Sequence, residues 1–177
     1  GRCGTHDWHD CIQYVYHPSQ GDANIKDEMI RRATYSDLDS ILSIIHDAQL
    51  SLRELGIDQW QDGYPTADII LADIDNQVGY VVCEDDSIVG YAAIITTGEQ
   101  AYHQIEDSWR YKGDYVAVHR ICVRGGCRRR GVALELMHHA IAIASGANCS
   151  AFRIDTHRGN VRMLAMLQKL GFEYVGI

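Results

Sequence analysis

Residues 115–134 hold five arginines, Arg120, Arg124, Arg128, Arg129 and Arg130, and no carboxylate. The chain as a whole is acidic, with 24 Asp and Glu against 16 Lys and Arg and a formal charge of −8. That balance argues against a general affinity for nucleic acid or anionic membrane, so any anion must be met by a local patch. The last three arginines run into Gly131, Val132 and Ala133, where a strand-like stretch gives way to a helix-like one. Helix starts gather unpaired N–H groups and the positive end of the helix dipole. Small residues there let the backbone approach an anion closely. These are the makings of a phosphate cradle; the alternative is a solvated basic loop. Neither a Gly-Lys-Ser/Thr phosphate loop nor a Gly-x-Gly-x-x-Gly dinucleotide fingerprint is present.

Two other groups of residues bear on chemistry. His119 lies in the run YVAVHRICV over 115–123, where strand alternation places it on the face of Ala117, Ile121 and Val123. Its intrinsic pKa suits proton transfer near neutrality, although a core histidine paired with Asp155 or Tyr115 is the other reading. Cys3, His6, His9 and Cys11 are ligand types for zinc, but their spacing is unlike fingers or ribbons and no metal is expected.

The elements that would position these residues follow from periodicity. With 177 residues, 46% of them apolar, the chain suffices for one domain with a sizeable core. Residues 29–34 alternate like a strand, and apolar residues from Leu38 to Leu52 then recur at helical spacing up to Gly56. Thr66 caps a shorter helix over Ile69, Ile70, Leu71 and Ile74. Runs 78–84 and 88–97 read as a hairpin about Asp85, Asp86 and Ser87. Strands follow at 115–123, 150–156 and 172–177, with helices from Val132 to Ser145 and Asn160 to Leu170 between them. The class is α/β (α+β), a mixed sheet flanked by helices. Residues 1–28 form an N-terminal extension, read as a tag, an upstream segment or a donated strand, and 29–177 form the domain. No apolar stretch nears the roughly 20 residues of a membrane span. The six cysteines form no Cys-x-x-Cys pair and read as reduced thiols, which points to the cytoplasm.

The stretch VRGGCRRRGVA over 123–133 resembles the Arg/Gln-x-x-Gly-x-Gly/Ala motif of the GNAT superfamily of acyl-CoA-dependent N-acetyltransferases. The likeness extends from residue 29 to 177 and includes Asn160, Met163 and the Leu170-Gly171-Phe172 segment. It implies a GNAT-like sheet whose strands 115–123 and 150–156 splay apart around an acyl-CoA cleft. By that resemblance the backbone of Ile121, Cys122 and Val123 binds pantetheine, Arg128, Arg129, Arg130, Gly131, Val132 and Ala133 hold the pyrophosphate, and Asn160 bonds the pantetheine arm. His119 matches a histidine that arylalkylamine N-acetyltransferases carry on this strand. The tyrosine that many members place seven residues after the asparagine is here Leu167, so either Tyr174, Tyr115 or water stands as the acid, or the thiolate leaves unprotonated.

The expected function is transfer of an acetyl group from acetyl-CoA to a primary amine, on a small molecule or peptide, by direct attack in a ternary complex. The alternative is a non-catalytic acyl-CoA binder. The acceptor pocket is expected from the loops carrying Trp60, Tyr64, Tyr102, Trp109 and Tyr111, whose aromatics and nearby acidic residues suit a cationic amine. The resemblance also implies two strands after the last helix where this chain has one. Residues 11–17, rich in aromatic and β-branched side chains, are expected to fill the gap, from the same chain or across a homodimer.

Overall fold

The computed structural model describes residues 11–16, 29–96, 115–127, 131–146 and 151–176. The strands are β1 (Cys11–Tyr16), β2 (Ile30–Arg32), β3 (Gly79–Glu84), β4 (Ser87–Ile95), β5 (Tyr115–Val123), β6 (Ala151–His157) and β7 (Glu173–Gly176). The helices are α1 (Leu38–Glu54), α2 (Ala67–Asp75), α3 (Val132–Gly146) and α4 (Val161–Leu170). The strands make one sheet in the order β2-β3-β4-β5-β6-β1-β7, antiparallel throughout except for the parallel pair β5–β6. The segment 11–17, expected to fill a sheet position, runs as β1 over 11–16. It lies between β6 and β7, with Cys11 opposite His157 and Tyr16 opposite Phe152.

Helix ends follow local chemistry. Asp37 ties β2 to the start of α1: Arg31 donates to its two oxygens at 2.7 and 2.9 Å, and the Thr34 N–H donates at 2.8 Å. These bonds, that of Arg31 foremost, hold the Asp37 carboxyl at a pKa of about 2. The Thr66 hydroxyl caps α2 by accepting from Ile69 N–H. Asn160 caps α4 through Met163 N–H, and Gly171 ends it in the left-handed region, φ 85°, which glycine adopts without a Cβ penalty. The β3–β4 hairpin turns on Asp85 and Asp86, both at positive φ, as a two-residue turn matched to strand twist requires.

Apolar side chains fill both faces of the sheet. On one face Ile41, Ile44 and Ile45 of α1 and Ile70 and Ile74 of α2 pack over Val81, Tyr91 and Cys122. On the other, α3 buries Val132, Leu136, Met137 and Ala140 against Val82, Ala92, Val116 and Val118. α3 comes so near β4 that a Cβ at Gly90 would stand 2.6 Å from Val132 Cγ1, so the approach depends on glycine there. No helix among the described residues is long and apolar enough to cross a membrane.

Candidate active site

β5 and β6 pair only from Tyr115–Ala151 to Val118–Ile154. Beyond Val118 the two strands part, and residues 119–123 turn an edge free of β6 toward the gap. The cause lies on the other side of β5. Tyr91 faces Cys122 and Ala93 faces His119, so Ala92 stands opposite two residues, Arg120 and Ile121. This is a β-bulge, and Arg120 takes the left-handed conformation at φ 55°. Holding a side-chain-bearing residue there costs about 1–2 kcal/mol.

The bulge reverses the alternation expected for His119. Ile121 and Val123 pack toward α3, whereas His119, opposite Ala93, shares the α1–α2 face with Tyr91 and Cys122. One extra residue in a strand shifts the parity of everything after it, so the expected shared face is corrected to opposite faces.

A buried network fixes Arg120. Its Nε donates to Asp73 Oδ2 at 2.9 Å, its Nη2 to Asp73 Oδ1 at 2.6 Å, and its Nη1 to the Tyr64 hydroxyl at 3.1 Å. The Tyr91 hydroxyl donates to the same carboxylate at 2.5 Å. The Arg120 and Asp73 side chains are each 7% exposed. Burial alone would lower the Arg120 pKa, but the bonds and charge of Asp73 outweigh it and hold the guanidinium charged. Burial, aided by the charge of Arg120, pushes the His119 pKa well below 6.5, so the imidazole is neutral at pH 7. Burial likewise pushes the Cys122 thiol up to about 12.

A cavity of about 730 Å³ runs through the gap between β5 and β6. Gly131, Val132, Ala133 and Asn160 line one end, with the basic side chains of His138, Arg162 and Lys169. Asn160 spends its Oδ1 on capping α4, which leaves its amide nitrogen to serve a ligand. Gly131 sits at φ 82° just ahead of α3, with no atom within 4 Å of where a Cβ would be. The other end is walled by Leu52 of α1, by Leu55 just past its end, and by Trp60 and Tyr64 of the loop that follows. That loop is tied to α1 by Gln49, whose Nε2 donates to the Tyr64 carbonyl, and by Gln61, whose Nε2 donates to the Gln49 carbonyl. His119, Arg120, Ile121, Cys122 and Val123 lie between the two ends.

Of the sequence-expected residues, Trp60, Tyr64, His119, Ile121, Cys122, Val123, Gly131, Val132, Ala133 and Asn160 line this one cavity and Tyr174 does not; Arg128, Arg129, Arg130, Tyr102, Trp109, Tyr111, Cys3, His6 and His9 fall outside the described residues. Of the arginine group, Arg120 turns to Asp73, and the Arg124 Nε donates to the Ile88 carbonyl. Leu167, in the place of the resemblance's tyrosine, is fully buried in the core beneath α4. Tyr174 lies on β7, with β1 between its strand and β6. The sequence signal of Asp73 is faint, a lone carboxylate sharing the helical face of Ile70 and Ile74. No group of three metal-ligating side chains is gathered among the described residues.

Residues 42–172 match the acetyltransferase (GNAT) family. Among solved structures, a GNAT-family acetyltransferase from Streptococcus agalactiae is 35% identical, with a TM-score of 0.73 over 83% of this chain and 86% of that one. A GNAT-family acetyltransferase from Listeria monocytogenes is 18% identical, with a TM-score of 0.67 over 84% of this chain and 88% of its own. A ribosomal-protein-alanine N-acetyltransferase from Brucella melitensis is 19% identical, with a TM-score of 0.61 over 82% and 84%. The last two share the fold. Among curated proteins no match was found.

Proposed function

The chain belongs to the acetyltransferase (GNAT) family, and from that premise we propose that it moves an acetyl group from acetyl-CoA to a primary amine by direct attack in a ternary complex. The observation that carries this reading is the cavity that passes through the β5–β6 gap and joins a basic end to an aromatic one. Acetyl-CoA supplies an activated carbonyl on a thiolate leaving group. The residues present suit it: the N-terminus of α3 and the basic side chains of His138, Arg162 and Lys169 favour its phosphates, and the β6-free edge of residues 121–123 offers backbone groups to its pantetheine arm.

The chain's own groups answer the needs of the transfer unequally. Neutral His119 beside the gap can take the proton that the attacking ammonium must shed. N–H groups on the open edge of β5 can donate to the oxyanion that forms as nitrogen adds to the carbonyl. Cys122, kept as a thiol by burial, offers no thiolate to carry the acetyl group, which favours direct attack over an acyl-cysteine route. Leu167 can donate no proton, and that favours a second reading, a protein that binds acyl-CoA without turnover. A panel of amines and peptides with detection of released thiol separates the two. Thiol that appears only with an amine, in equal amount to acetylated product, supports transfer; a CoA-induced thermal shift without turnover supports the binder.

A further inference from the structure

The charges lining the cavity are unevenly distributed. The basic side chains of His138, Arg162 and Lys169, and the N-terminus of α3, all lie at the end framed by α3 and α4. On the far side of β5 the walls are Leu52, Leu55, Trp60 and Tyr64, together with Ala48, Ser51 and the uncharged Gln59. Among the described residues the one cation that reaches this end is Arg120, which is matched by the bidentate bond to Asp73, and Asp73 has its remaining affinity taken up by Tyr91. No carboxylate lines the cavity among the described residues. A second ammonium brought here would lose water beside Arg120 and meet no free counter-charge among the described residues, whereas an apolar group would exchange water for aromatic and aliphatic contact.

We propose that the acceptor is a monoamine on an uncharged aromatic or branched aliphatic body, which packs among Leu52, Leu55, Trp60 and Tyr64 and carries no charge but the reacting ammonium. This narrows the acetyl-transfer reading and rests on it. Polyamines, aminoglycosides and other multiply charged amines are then poor acceptors. Tyr64 contributes more than area: its hydroxyl accepts from Arg120, which fixes the ring against the loop, and Trp60 meets that ring edge-on at 6.4 Å. The two rings make a rigid wall that favours a flat or branched group over a flexible charged chain.

The test compares 2-phenylethylamine and isopentylamine with 1,4-diaminobutane and an aminoglycoside by acetyl-CoA thiol release, with amine-independent hydrolysis subtracted. The expected result is a kcat/KM at least tenfold higher for both apolar amines. Leu55→Asp, at a half-exposed position on the cavity wall that leaves the core intact, supplies the missing carboxylate. It should narrow the apolar-to-diamine ratio about tenfold while the KM for acetyl-CoA stays unchanged. Preference of the wild-type protein for the diamine or the aminoglycoside, or a Leu55→Asp ratio equal to that of the wild type, overturns this inference and leaves acetyl transfer standing. No thiol release with any amine, in protein that still shows a CoA thermal shift, overturns the transfer reading and the acceptor class with it.

Discussion

Replacing Asp73 by alanine removes the acceptor of three hydrogen bonds, at 2.9 and 2.6 Å from Arg120 and 2.5 Å from the Tyr91 hydroxyl. The guanidinium left behind is 93% shielded and has no counter-charge, and the fully buried Tyr91 loses the partner of its hydroxyl. Breaking a buried pair from one side costs about 3–5 kcal/mol, and the stranded hydroxyl falls within that range because the losses share one site. In a chain of this size each kcal/mol lowers Tm by about 2–4 °C, so Asp73→Ala should melt about 6–20 °C below the wild type. Thermal unfolding followed by circular dichroism measures it. If the cost comes from the stranded charge, the double variant Asp73→Ala/Arg120→Leu should recover part of the loss. The same pair holds the left-handed residue of the bulge, so Asp73→Ala protein held well below its Tm should also bind CoA more weakly. A Tm within about 2 °C of the wild type would refute the reasoning, since it would mean that Arg120 finds water or another partner at small cost.

His119→Ala should lower kcat/KM by about 10²- to 10⁴-fold at pH 7 and leave CoA affinity unchanged, which steady-state kinetics and a CoA titration check together. The depressed pKa of His119 also has a stability consequence: the unfolded chain takes up a proton near 6.5 and the folded one does not, so stability is full above pH 6.5 and declines as pH falls below it. Tm against pH should decline less steeply below 6.5 in His119→Gln. At lower pH, Asp37 adds a second decline, because its folded pKa of about 2 lies below the ordinary 3.8. Its contribution is present above 3.8 and lost as pH falls from there toward 2, and Asp37→Asn should remove that part of the slope. Gly90→Ala sets a methyl 2.6 Å from Val132 Cγ1 and should cost about 1–3 kcal/mol, read by urea unfolding at unchanged m-value.

The parts of this fold that were legible in the sequence are those with a strong period or a terminal residue of fixed chemistry. β5 at 115–123, the turn at Asp85 and Asp86, the Thr66 cap and the Gly171 stop all lie where the residue types place them. The bulge was not legible, because a left-handed strand residue usually announces itself as glycine and here it is Arg120. Its parity shift then moved His119 to the face opposite Ile121 and Val123. The role of Arg120 was hidden for a related reason: in sequence it stands in the basic cluster, and only the packing of α2 on β5 reveals Asp73 as its partner. That residues 11–16 join the sheet was legible from their aromatic and β-branched content and from the missing strand, whereas their register against β6 and β7 depends on contacts with segments more than 100 residues away, and no local pattern encodes it.

Occupation of the gap between β5 and β6 by acyl-CoA underlies every role proposed above, and amide chemical-shift mapping during a CoA titration tests it directly. Shifts should grow together for the N–H groups of Ile121, Cys122, Val123, Gly131, Val132 and Ala133 and for the side-chain amide of Asn160, while Arg31 and Arg32 on the distant edge strand β2 stay fixed. Shifts clustered on β2 and β3, or no shifts at millimolar CoA, would contradict it.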